Sequence, residues 1–346
     1  MTPPSAVVGW DIGGVNTKVV RLESGPNGPV QRSASLPFEI KYDPAALVTT
    51  MRQAARSIGG GAEDLHAVTM TAELSQAFRT KREGVGFILD ALNAAFPDSR
   101  FHIYDVAGSF VGPAKARELP LAVAAANWSA TAAWLARSTP TAILIDIGTT
   151  SADLIPIVNG RVVAQGRTDP ERLLSGELVY TGTLRTPVEA VAHRVPLWGG
   201  IAGVAGDGFA IMGDVYLWLG QLRPEDYSCP TPDGGPLTRQ SAGERLARVV
   251  CGDRDMLDEA AVDAIAETLA SAQREMLAGS IARILDRWPL IDGVVVAGLG
   301  DFIGAEAART LGLRIIPPPP ALGQPARHAP AAAVAWLLWD SLQPSL

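Results

Sequence analysis

The chain has 346 residues, of which 29 are Lys or Arg and 36 are Asp or Glu, so its formal net charge is −7. At about 150 residues per domain, this length predicts two domains. With 47% hydrophobic and 19% charged residues, the chain can fill large cores and is not disordered. The acidic balance, without a run of Lys and Arg, argues against nucleic acid or an anionic membrane as the partner, but it leaves phosphorylated small molecules open.

Cysteine and histidine usage narrows the chemistry further. The two cysteines, Cys229 and Cys251, are too few for a disulfide framework or a cysteine-only zinc site. No pair among the four histidines has metal-ligand spacing. The N-terminal residues lack the charged and apolar segments of a signal peptide, so we expect a reducing, cytoplasmic location. The uncharged stretch 119–136 is at the short limit of a membrane span, but its proline, polar residues and many alanines favour a buried helix.

The first part of the chain has the pattern of alternating strands and helices. Apolar segments around an Asp-Ile-Gly-Gly-Val-Asn-Thr turn predict two antiparallel strands, and a third strand completes a hairpin meander. A helix that begins near Pro44 ends at three consecutive glycines. In chain order, the predicted elements are strands at 7–10, 18–22 and 30–37, a helix at 44–58, a strand at 66–71, a helix at 84–96, a strand at 101–104 and a helix at 121–136.

The opening pattern recurs in the middle of the chain. A second strand-Asp-x-Gly-turn-strand sequence contains Asp146, and Asn159-Gly160 predicts a further hairpin turn. Asp146 follows Asp11 by 135 residues (146 minus 11), a period that is too long for a solenoid and suits two related domains. The predicted strands here are 142–145, 154–158 and 161–164.

The remaining sequence completes a second domain. Residues 166–236 are rich in Gly and Pro and predict an insertion with one short helix at 213–222. Later elements are helices at 240–250, 258–287 (which could break near Gly279), 305–311 and 331–342, and strands at 292–297 and 313–316. We therefore predict a first domain at 1–138, onto which the C-terminal segment 328–346 packs, and a second domain at 139–327.

One loop near the N-terminus carries residue types that hold phosphate groups. Glycines let backbone amides approach a phosphate closely, and an aspartate can hold hydrated Mg²⁺ beside it. A lone Gly-Gly hairpin is more often an ordinary turn, and the glycine spacing fits neither a Walker loop nor a Rossmann fingerprint. The candidate residues of this loop are Asp11, Gly13, Gly14, Asn16, Thr17 and Lys18.

The repeat of this loop strengthens the interpretation. The second copy offers a carboxylate, a glycine and two hydroxyls, so the two loops could clamp a diphosphate or triphosphate between two domains. A third element, 294–300, is a buried strand that ends in a glycine pair and leaves room for a flat base or sugar. The candidate residues are Asp146, Gly148, Thr149 and Thr150 in the second loop and Gly298 and Gly300 in the third.

Longer stretches resemble one known family. The segments 10–18 (Trp-Asp-Ile-Gly-Gly-Val-Asn-Thr-Lys), 69–74, 80–84, 145–153 and 180–187 (Tyr-Thr-Gly-Thr-Leu-Arg-Thr-Pro) are similar to the hydantoinase/oxoprolinase-like family of the actin, sugar kinase and Hsp70 superfamily. Within it they resemble the branch linked to tetrahydromethanopterin-dependent one-carbon transfer. The resemblance implies an α/β fold of duplicated actin-like, ribonuclease H-like mixed-sheet domains with a central cleft.

The resemblance also implies a reaction, the formation of an ether in methanofuran biosynthesis. An aminomethylfuran-methyl diphosphate loses pyrophosphate, and the phenol oxygen of a glutamyl-tyramine, tyramine or tyrosine acceptor takes its place. Such a leaving group needs neutralising donors and Mg²⁺, and a phenol with a pKa near ~10 needs a base or a nearby cation. The donors would be Lys18, Asn16, Thr17, Thr149 and Thr150, and Asp11 and Asp146 would hold Mg²⁺ through water.

Three further groups of residues are candidates for the acceptor side of the reaction. Glu73, in a loop after an apolar strand, is the first candidate base; its alternative is a glutamate in the first turn of a helix. Arg79 and Lys81 could hold phosphate or a substrate carboxylate, or belong to a solvated charge cluster. Tyr180 and Arg185 could line the acceptor pocket, or belong to a structural loop.

The transferase, with Glu73, Lys18 and Asp11 as its catalytic residues, competes with two other hypotheses. The first alternative is an ATP-dependent small-molecule kinase or amide hydrolase of the same superfamily, which would bind nucleotide at 298–300. The second is a non-catalytic nucleotide-binding module, against which the polar residues outside the phosphate loops argue. ATP use is left open, and the motifs carry no signature of an oligomeric state.

Overall fold

The computed structural model describes residues 6–26, 28–61, 63–322 and 327–343. The chain divides into two compact units. The first unit comprises Met1–Ala142, Ile155–Leu174 and Pro318–Leu346, and the second comprises Ile143–Leu154 and Ser175–Pro317. The parts of the predicted domains that fall on residues 1–5, 27, 62, 323–326 and 344–346 lie outside the described residues.

The strands and helices follow the predicted order along most of the chain. The strands are β1 (Ala6–Ile12), β2 (Asn16–Glu23), β3 (Val30–Pro37), β4 (Leu65–Met70), β5 (Arg100–Tyr104), β6 (Phe110–Val111), β7 (Ala142–Ile147), β8 (Ala152–Val158), β9 (Arg161–Val162), β10 (Leu178–Val179), β11 (Arg194–Leu197), β12 (Gly200–Gly203), β13 (Gly293–Gly298) and β14 (Arg314–Ile316). The helices are α1 (Leu47–Ser57), α2 (Lys81–Ala95), α3 (Pro113–Glu118), α4 (Pro120–Val123), α5 (Asn127–Leu135), α6 (Asp169–Ser175), α7 (Met212–Trp218), α8 (Arg239–Arg248), α9 (Glu259–Arg287), α10 (Asp301–Thr310) and α11 (Ala329–Ser341).

Two mixed sheets share one strand arrangement. The first has the order β3-β2-β1-β4-β5-β6, with β1 to β3 antiparallel and β4 and β5 parallel to β1. The second has the order β10-β8-β7-β13-β14, β9 also pairs with β8, and β13 runs parallel to both β7 and β14. In each sheet, an Asp-x-Gly hairpin supplies two neighbouring strands and a later parallel strand flanks them. The predicted α/β class with duplicated mixed sheets is therefore confirmed.

The two faces of the first sheet are covered by different helices. Successive residues of a strand point to opposite faces. Trp10 and Ile12 of β1 belong to the same buried cluster as Met51 of α1 and Ile88 of α2. On the opposite face, a Cβ built on Gly9 would lie 2.1 Å from the Ala331 carbonyl oxygen, so helix α11 lies directly against β1. Only glycine allows the two backbones to approach this closely.

The helix predicted at 121–136 is wrong, because the chain leaves the helical conformation in its middle. Helix α4 ends at Val123, and Ala125 has a φ of 50°, in the left-handed region. The Ala125 amide donates to the Met70 carbonyl oxygen at 3.0 Å, so a contact with β4 replaces the helical hydrogen bond. Helix α9, in contrast, continues through Gly279. Within the described ranges, no helix is long and apolar enough to cross a membrane.

We expect Gly9→Ala to lower the free energy of unfolding by about 2 kcal/mol, because added atoms in a packed core cost about 1–3 kcal/mol. The new methyl group would also lie 2.7 Å from the Cβ of Ala335. Urea unfolding followed by circular dichroism measures the change. Gly86→Ala in α2 is the control, since its nearest neighbour, an Arg117 guanidinium nitrogen, lies 3.6 Å away. An equal stability of the two variants would contradict the close packing of α11 on β1.

Candidate functional site

Asp11 lies in a row of polar residues that crosses three strands of the first sheet. Its register partners are Lys18 on β2 and Thr69 on β4, so the three side chains share one face. The Lys18 Nζ lies 3.4 Å from Asp11 Oδ2. Asp11 Oδ1 and the hydroxyls of Thr17 and Thr69 are buried without a hydrogen-bond partner among the described residues. The carboxylate is thus held by one ammonium group and keeps an oxygen atom for a further ligand.

The turn after Asp11 is closed by its own backbone. The Gly13 amide donates to the Asn16 carbonyl oxygen at 3.0 Å, and the Gly14 carbonyl oxygen accepts from the Ile40 amide at 3.1 Å. Both glycines and Asn16 are half-buried. His328, directly before α11, has its pKa lowered to about 4 by burial and by the positive charge of Lys18, so it is neutral at physiological pH.

Glu73 is a buried carboxylate beside the first sheet. It lies in the short 3-10 turn Ala72–Leu74 that follows β4, and not in the first turn of α2. Its side chain is 0% exposed, and neither carboxylate oxygen has a hydrogen-bond partner among the described residues. Burial raises the pKa of Glu73 to about 7, although the Lys81 ammonium opposes the shift from 3.7 Å. This carboxyl group therefore changes protonation near neutral pH.

Lys81 joins Glu73 to a second carboxylate. As the first residue of α2, it lies 2.5 Å through its Nζ from Asp169 Oδ2 at the start of α6. The Arg172 guanidinium lies 3.8 Å from the other oxygen of Asp169 and 4.4 Å from the centre of the Trp128 ring. Lys81 is therefore part of a largely buried ion-pair network.

Sequence reasoning missed Asp169 and Arg172. The Asp-Pro-Glu sequence at the start of α6 predicts a helix start, but it does not predict the pairing of Asp169 with Lys81. Arg79, two residues before Lys81, is exposed, and its backbone amide donates to Glu83 Oε2. The structure therefore brings Lys81 to Glu73 and leaves Arg79 at the surface.

The Asp11 row and the Glu73 turn belong to the same edge of the first sheet. β1 and β4 are neighbouring parallel strands, and their carboxyl ends meet at one edge. The Thr71 amide donates to the Ile12 carbonyl oxygen at 2.9 Å, so the pairing continues past both strand ends. The loop that begins at Gly13 after β1 and the Glu73 turn after β4 therefore begin next to each other.

The second unit repeats the first loop in detail. Asp146 pairs in register with Ala297 of β13, as Asp11 pairs with Thr69. The Gly148 amide donates to the Ser151 carbonyl oxygen at 2.9 Å, which matches the Gly13 to Asn16 bond of the first unit. The internal repeat thus extends to an individual turn hydrogen bond.

Three glycines let other loops pack on the Asp146 loop. Gly298 has a φ of +86°, and a Cβ there would lie 2.2 Å from the Ile147 carbonyl oxygen and 2.6 Å from Asp146 Oδ1. A Cβ on Gly300 would lie 2.4 Å from the Thr183 hydroxyl, and one on Gly182 would lie 2.5 Å from the Thr150 amide nitrogen. Glycine is therefore required at these three positions, because a larger residue would collide with the neighbouring loop.

The Tyr180–Pro187 stretch is tied to this loop at one end. The Thr149 carbonyl oxygen accepts from the amide of Arg185 at 2.9 Å. Tyr180 is 58% exposed. Gln273 of α9, which sequence reasoning missed, is fully buried and donates through Nε2 to the Thr181 hydroxyl at 2.7 Å and the Gly182 carbonyl oxygen at 2.9 Å. The stretch is anchored in the second unit, and its tyrosine faces solvent.

The fold is the duplicated actin-like one. The chain superposes on a nucleotide-free structure of acetone carboxylase, from work on ATP-dependent acetone carboxylation, with a TM-score of 0.61 and 13% identity. The alignment covers 95% of this chain and 70% of that chain. At this identity the likeness shows the fold alone. The central cleft that was expected between the two domains stays a prediction.

Residues 64–340 match the hydantoinase/oxoprolinase family, and the chain belongs to that family. A protein of Methanocaldococcus jannaschii named (4-{4-[2-(gamma-L-glutamylamino)ethyl]phenoxymethyl}furan-2-yl)methanamine synthase is 36% identical over 302 residues, which cover 87% of this chain and 88% of that protein. A protein of the same name from Methanococcus vannielii is 34% identical over 169 residues, which cover 49% of this chain and 75% of that protein.

We expect Glu73→Gln to remove a pH dependence of stability. Folding raises the pKa of Glu73 from 4.5 to about 7, so the native state keeps a proton that the unfolded state releases between these values. The stabilising contribution of the Glu73 carboxyl group to folding is present below pH 4.5 and is lost as the pH rises to about 7. The free energy of unfolding of the variant should therefore exceed that of the wild type, by up to about 3 kcal/mol near pH 8.

Urea unfolding at several pH values measures this difference. Glu118→Gln is the control, since that glutamate is 64% exposed and pairs only with Lys115 in the described structure. The Glu118 variant should follow the wild type across the whole pH range. A constant offset between Glu73→Gln and the wild type from pH 4.5 to pH 8 would contradict the raised pKa.

Proposed function

We propose that this protein is a transferase of methanofuran biosynthesis that makes the furanylmethyl aryl ether named in its relatives. The observation that carries the proposal is the 36% identity to the synthase of M. jannaschii over 87% of this chain and 88% of that protein. The buried polar residues at one edge of the first sheet support it, because they offer a base and phosphate ligands.

The reaction that we propose is a substitution at the methylene carbon of the furan. The bond from this carbon to the diphosphate oxygen breaks, and pyrophosphate leaves with the electron pair. The phenol oxygen of the acceptor forms the new ether bond, and its proton goes to a base on the protein. The electron-rich furan stabilises positive charge at the methylene, so stabilisation of the leaving group promotes the first step.

We assign the base to Glu73. Its carboxylate oxygens are buried and have no hydrogen-bond partner in the described part of the chain, so no hydrogen bond to them would have to break before they accept a phenol proton. A pKa of about 7 suits proton transfer at neutral pH. Lys81, placed between Glu73 and Asp169, favours the ionised form of Glu73 and limits the rise of its pKa. We propose that Arg79, at the protein surface, binds a phosphate or carboxylate group of a substrate.

We assign the diphosphate to the loop that begins at Asp11. Lys18 supplies a cation, and the turn of Gly13, Gly14 and Asn16 supplies polar groups at the strand end. The buried Asp11 Oδ1, which lacks a hydrogen-bond partner among the described residues, fits a ligand role toward Mg²⁺. The described residues contain no cluster of three or more His, Cys, Asp or Glu, so water and diphosphate oxygens would complete the coordination. Bound Mg²⁺ would neutralise charge on the leaving group.

The second unit has corresponding proposed roles. Asp146 and the hydroxyls of Thr149 and Thr150 would act on phosphate as the Asp11 loop does, and Tyr180 and Arg185 would contact the phenolic acceptor. Packing against the Ile147 carbonyl oxygen is enough to explain the glycine at 298, so this glycine by itself gives no support to nucleotide binding. Within the described part of the chain, Cys229 and Cys251 form no disulfide, and a reducing, cytoplasmic location is part of the proposal.

The first experiment is a mass-spectrometric assay of the purified protein with Mg²⁺, the aminomethylfuran-methyl diphosphate and γ-glutamyl-tyramine. Tyramine and tyrosine are tested as acceptors in parallel, and each mixture is run with and without ATP. We expect ether and pyrophosphate in equal amounts in both arms. ADP formation without any ether would contradict the transferase and favour the kinase or amide hydrolase.

A second experiment follows kcat/KM against pH for the wild type and Glu73→Gln. We expect the wild-type rate to fall below about pH 7, because Glu73 accepts the phenol proton only when it is ionised. The variant should lose this acid limb and be slower by about 10²–10⁴-fold, the usual contribution of a general base. Glu118→Gln should retain the wild-type profile. An unchanged acid limb in Glu73→Gln would assign the base to another group.

A further inference from the structure

The loop that follows β7 is held through its carbonyl oxygens. The Gly148 carbonyl oxygen accepts from the Thr183 amide at 2.9 Å and from the Thr183 hydroxyl at 3.1 Å. The Thr149 carbonyl oxygen accepts from the amides of Leu184 at 3.1 Å and Arg185 at 2.9 Å. These hydrogen bonds fix the direction of two successive peptide groups of the loop.

The same bonds determine where the amides of the loop point. A peptide group is planar and trans, so its N–H points opposite to its C=O. Because the carbonyl groups of Gly148 and Thr149 point at residues 183–185, the amides of Thr149 and Thr150 point away from those residues. Two successive amides with a common direction suit an anion. The proposed phosphate contacts of this loop therefore depend on the position of residues 183–185.

Gln273 of α9 anchors the residues just before this stretch. Its Nε2 donates to the Thr181 hydroxyl at 2.7 Å and to the Gly182 carbonyl oxygen at 2.9 Å. A Cβ on Gly182 would lie 2.5 Å from the Thr150 amide nitrogen, so Gly182 is in direct contact with the loop. Because Gln273 is fully buried, it acts on the loop through Gly182 and not by touching a ligand.

Tyr216 of α7 satisfies the other end of the Gln273 amide. Its hydroxyl donates to Gln273 Oε1 at 2.5 Å. Burial raises the pKa of Tyr216 above its ordinary value, so the hydroxyl keeps its proton. The reverse orientation of the amide would set its oxygen against the Gly182 carbonyl oxygen, two acceptors with no proton between them. The tyrosine therefore supports the one orientation in which Gln273 can hold Gly182.

We propose that Gln273 and Tyr216 are positioning residues of the transfer reaction, which direct the amides of Thr149 and Thr150 at the diphosphate group of the substrate. The inference rests on the proposed phosphate role of this loop. Tyr216 orients Gln273, Gln273 holds Gly182, and Gly182 supports the loop. Loss of one of these contacts lets the loop amides turn and weakens the binding of a diphosphate.

Two matched tyrosine variants test the proposal. Tyr216→Phe removes the hydroxyl but keeps the ring, which packs edge-on against Phe302 with 5.0 Å between the centroids, so the variant should fold. Tyr227→Phe is the control, because it also removes a hydrogen bond of a buried tyrosine in the second unit, to Asp214. We expect Tyr216→Phe to weaken binding of Mg²⁺-pyrophosphate about fivefold, in line with the loss of one hydrogen bond, and Tyr227→Phe to change it by less than about twofold. Isothermal titration calorimetry measures both.

A double variant and an amide signal show whether the two residues act on the loop in series. In Gln273→Leu, which lacks the amide, Tyr216→Phe should weaken pyrophosphate binding no further. In protein labelled with [15N]threonine, pyrophosphate should shift the Thr150 amide signal to lower field in the wild type and in Tyr227→Phe. The shift should be smaller in Tyr216→Phe, since its loop amides are no longer held in place.

The outcomes separate this inference from the proposed function. Equal weakening by the two tyrosine variants, additive effects of Tyr216→Phe and Gln273→Leu, or a full Thr150 shift in Tyr216→Phe would each overturn the inference and leave the proposed function intact. An unshifted Thr150 signal in the wild type at saturating pyrophosphate would contradict the phosphate role of the loop, and the inference would fail with it.

Discussion

The structure depends on one turn geometry that both units contain. A glycine amide donates to the carbonyl oxygen three residues further on, from Gly13 to Asn16 and from Gly148 to Ser151. This hydrogen bond closes a tight turn that reverses the chain direction. The aspartate two residues before each glycine is therefore held at the end of a buried strand. The neighbouring parallel strands, β4 and β13, then bring their own following loops to that aspartate's edge of the sheet. Both sets of candidate phosphate ligands take their positions from this constraint.

Burial and charge oppose each other at Glu73, and the balance defines its chemistry. In a dry environment, a carboxyl group alone would stay protonated throughout the physiological range. Lys81 offsets this tendency, and Asp169 holds Lys81 in place from the other side. The result is a carboxyl group that exchanges its proton near neutral pH, as the proposed attack by a phenol requires. Arg172 and Trp128 enclose the far end of the network.

Local patterns predicted most of the elements and the two hairpin loops, because turns and strand alternation are read from neighbouring residues. The third strand lies at 30–37 as predicted. The predicted helix at 121–136 fails where Ala125 bonds to Met70, a partner that no local propensity reveals. The contact of Lys81 with Asp169 joins residues 88 apart, and that of Gln273 with Thr181 joins residues 92 apart. Long-range choices of this kind decide which candidate residues come together.

The position of α11 also determines when the first unit can become complete during synthesis. The helix covers β1 at Gly9, and Trp336 donates to the side chain of Gln31, 305 residues earlier in the chain. Until α11 has left the ribosome, β1 lacks the helix that packs on it at Gly9, although β1 to β5 have long been synthesised. Contacts of such high sequence separation slow folding and prolong the exposure of apolar surface. During synthesis, the surface of β1 at Gly9 therefore stays uncovered until α11 emerges.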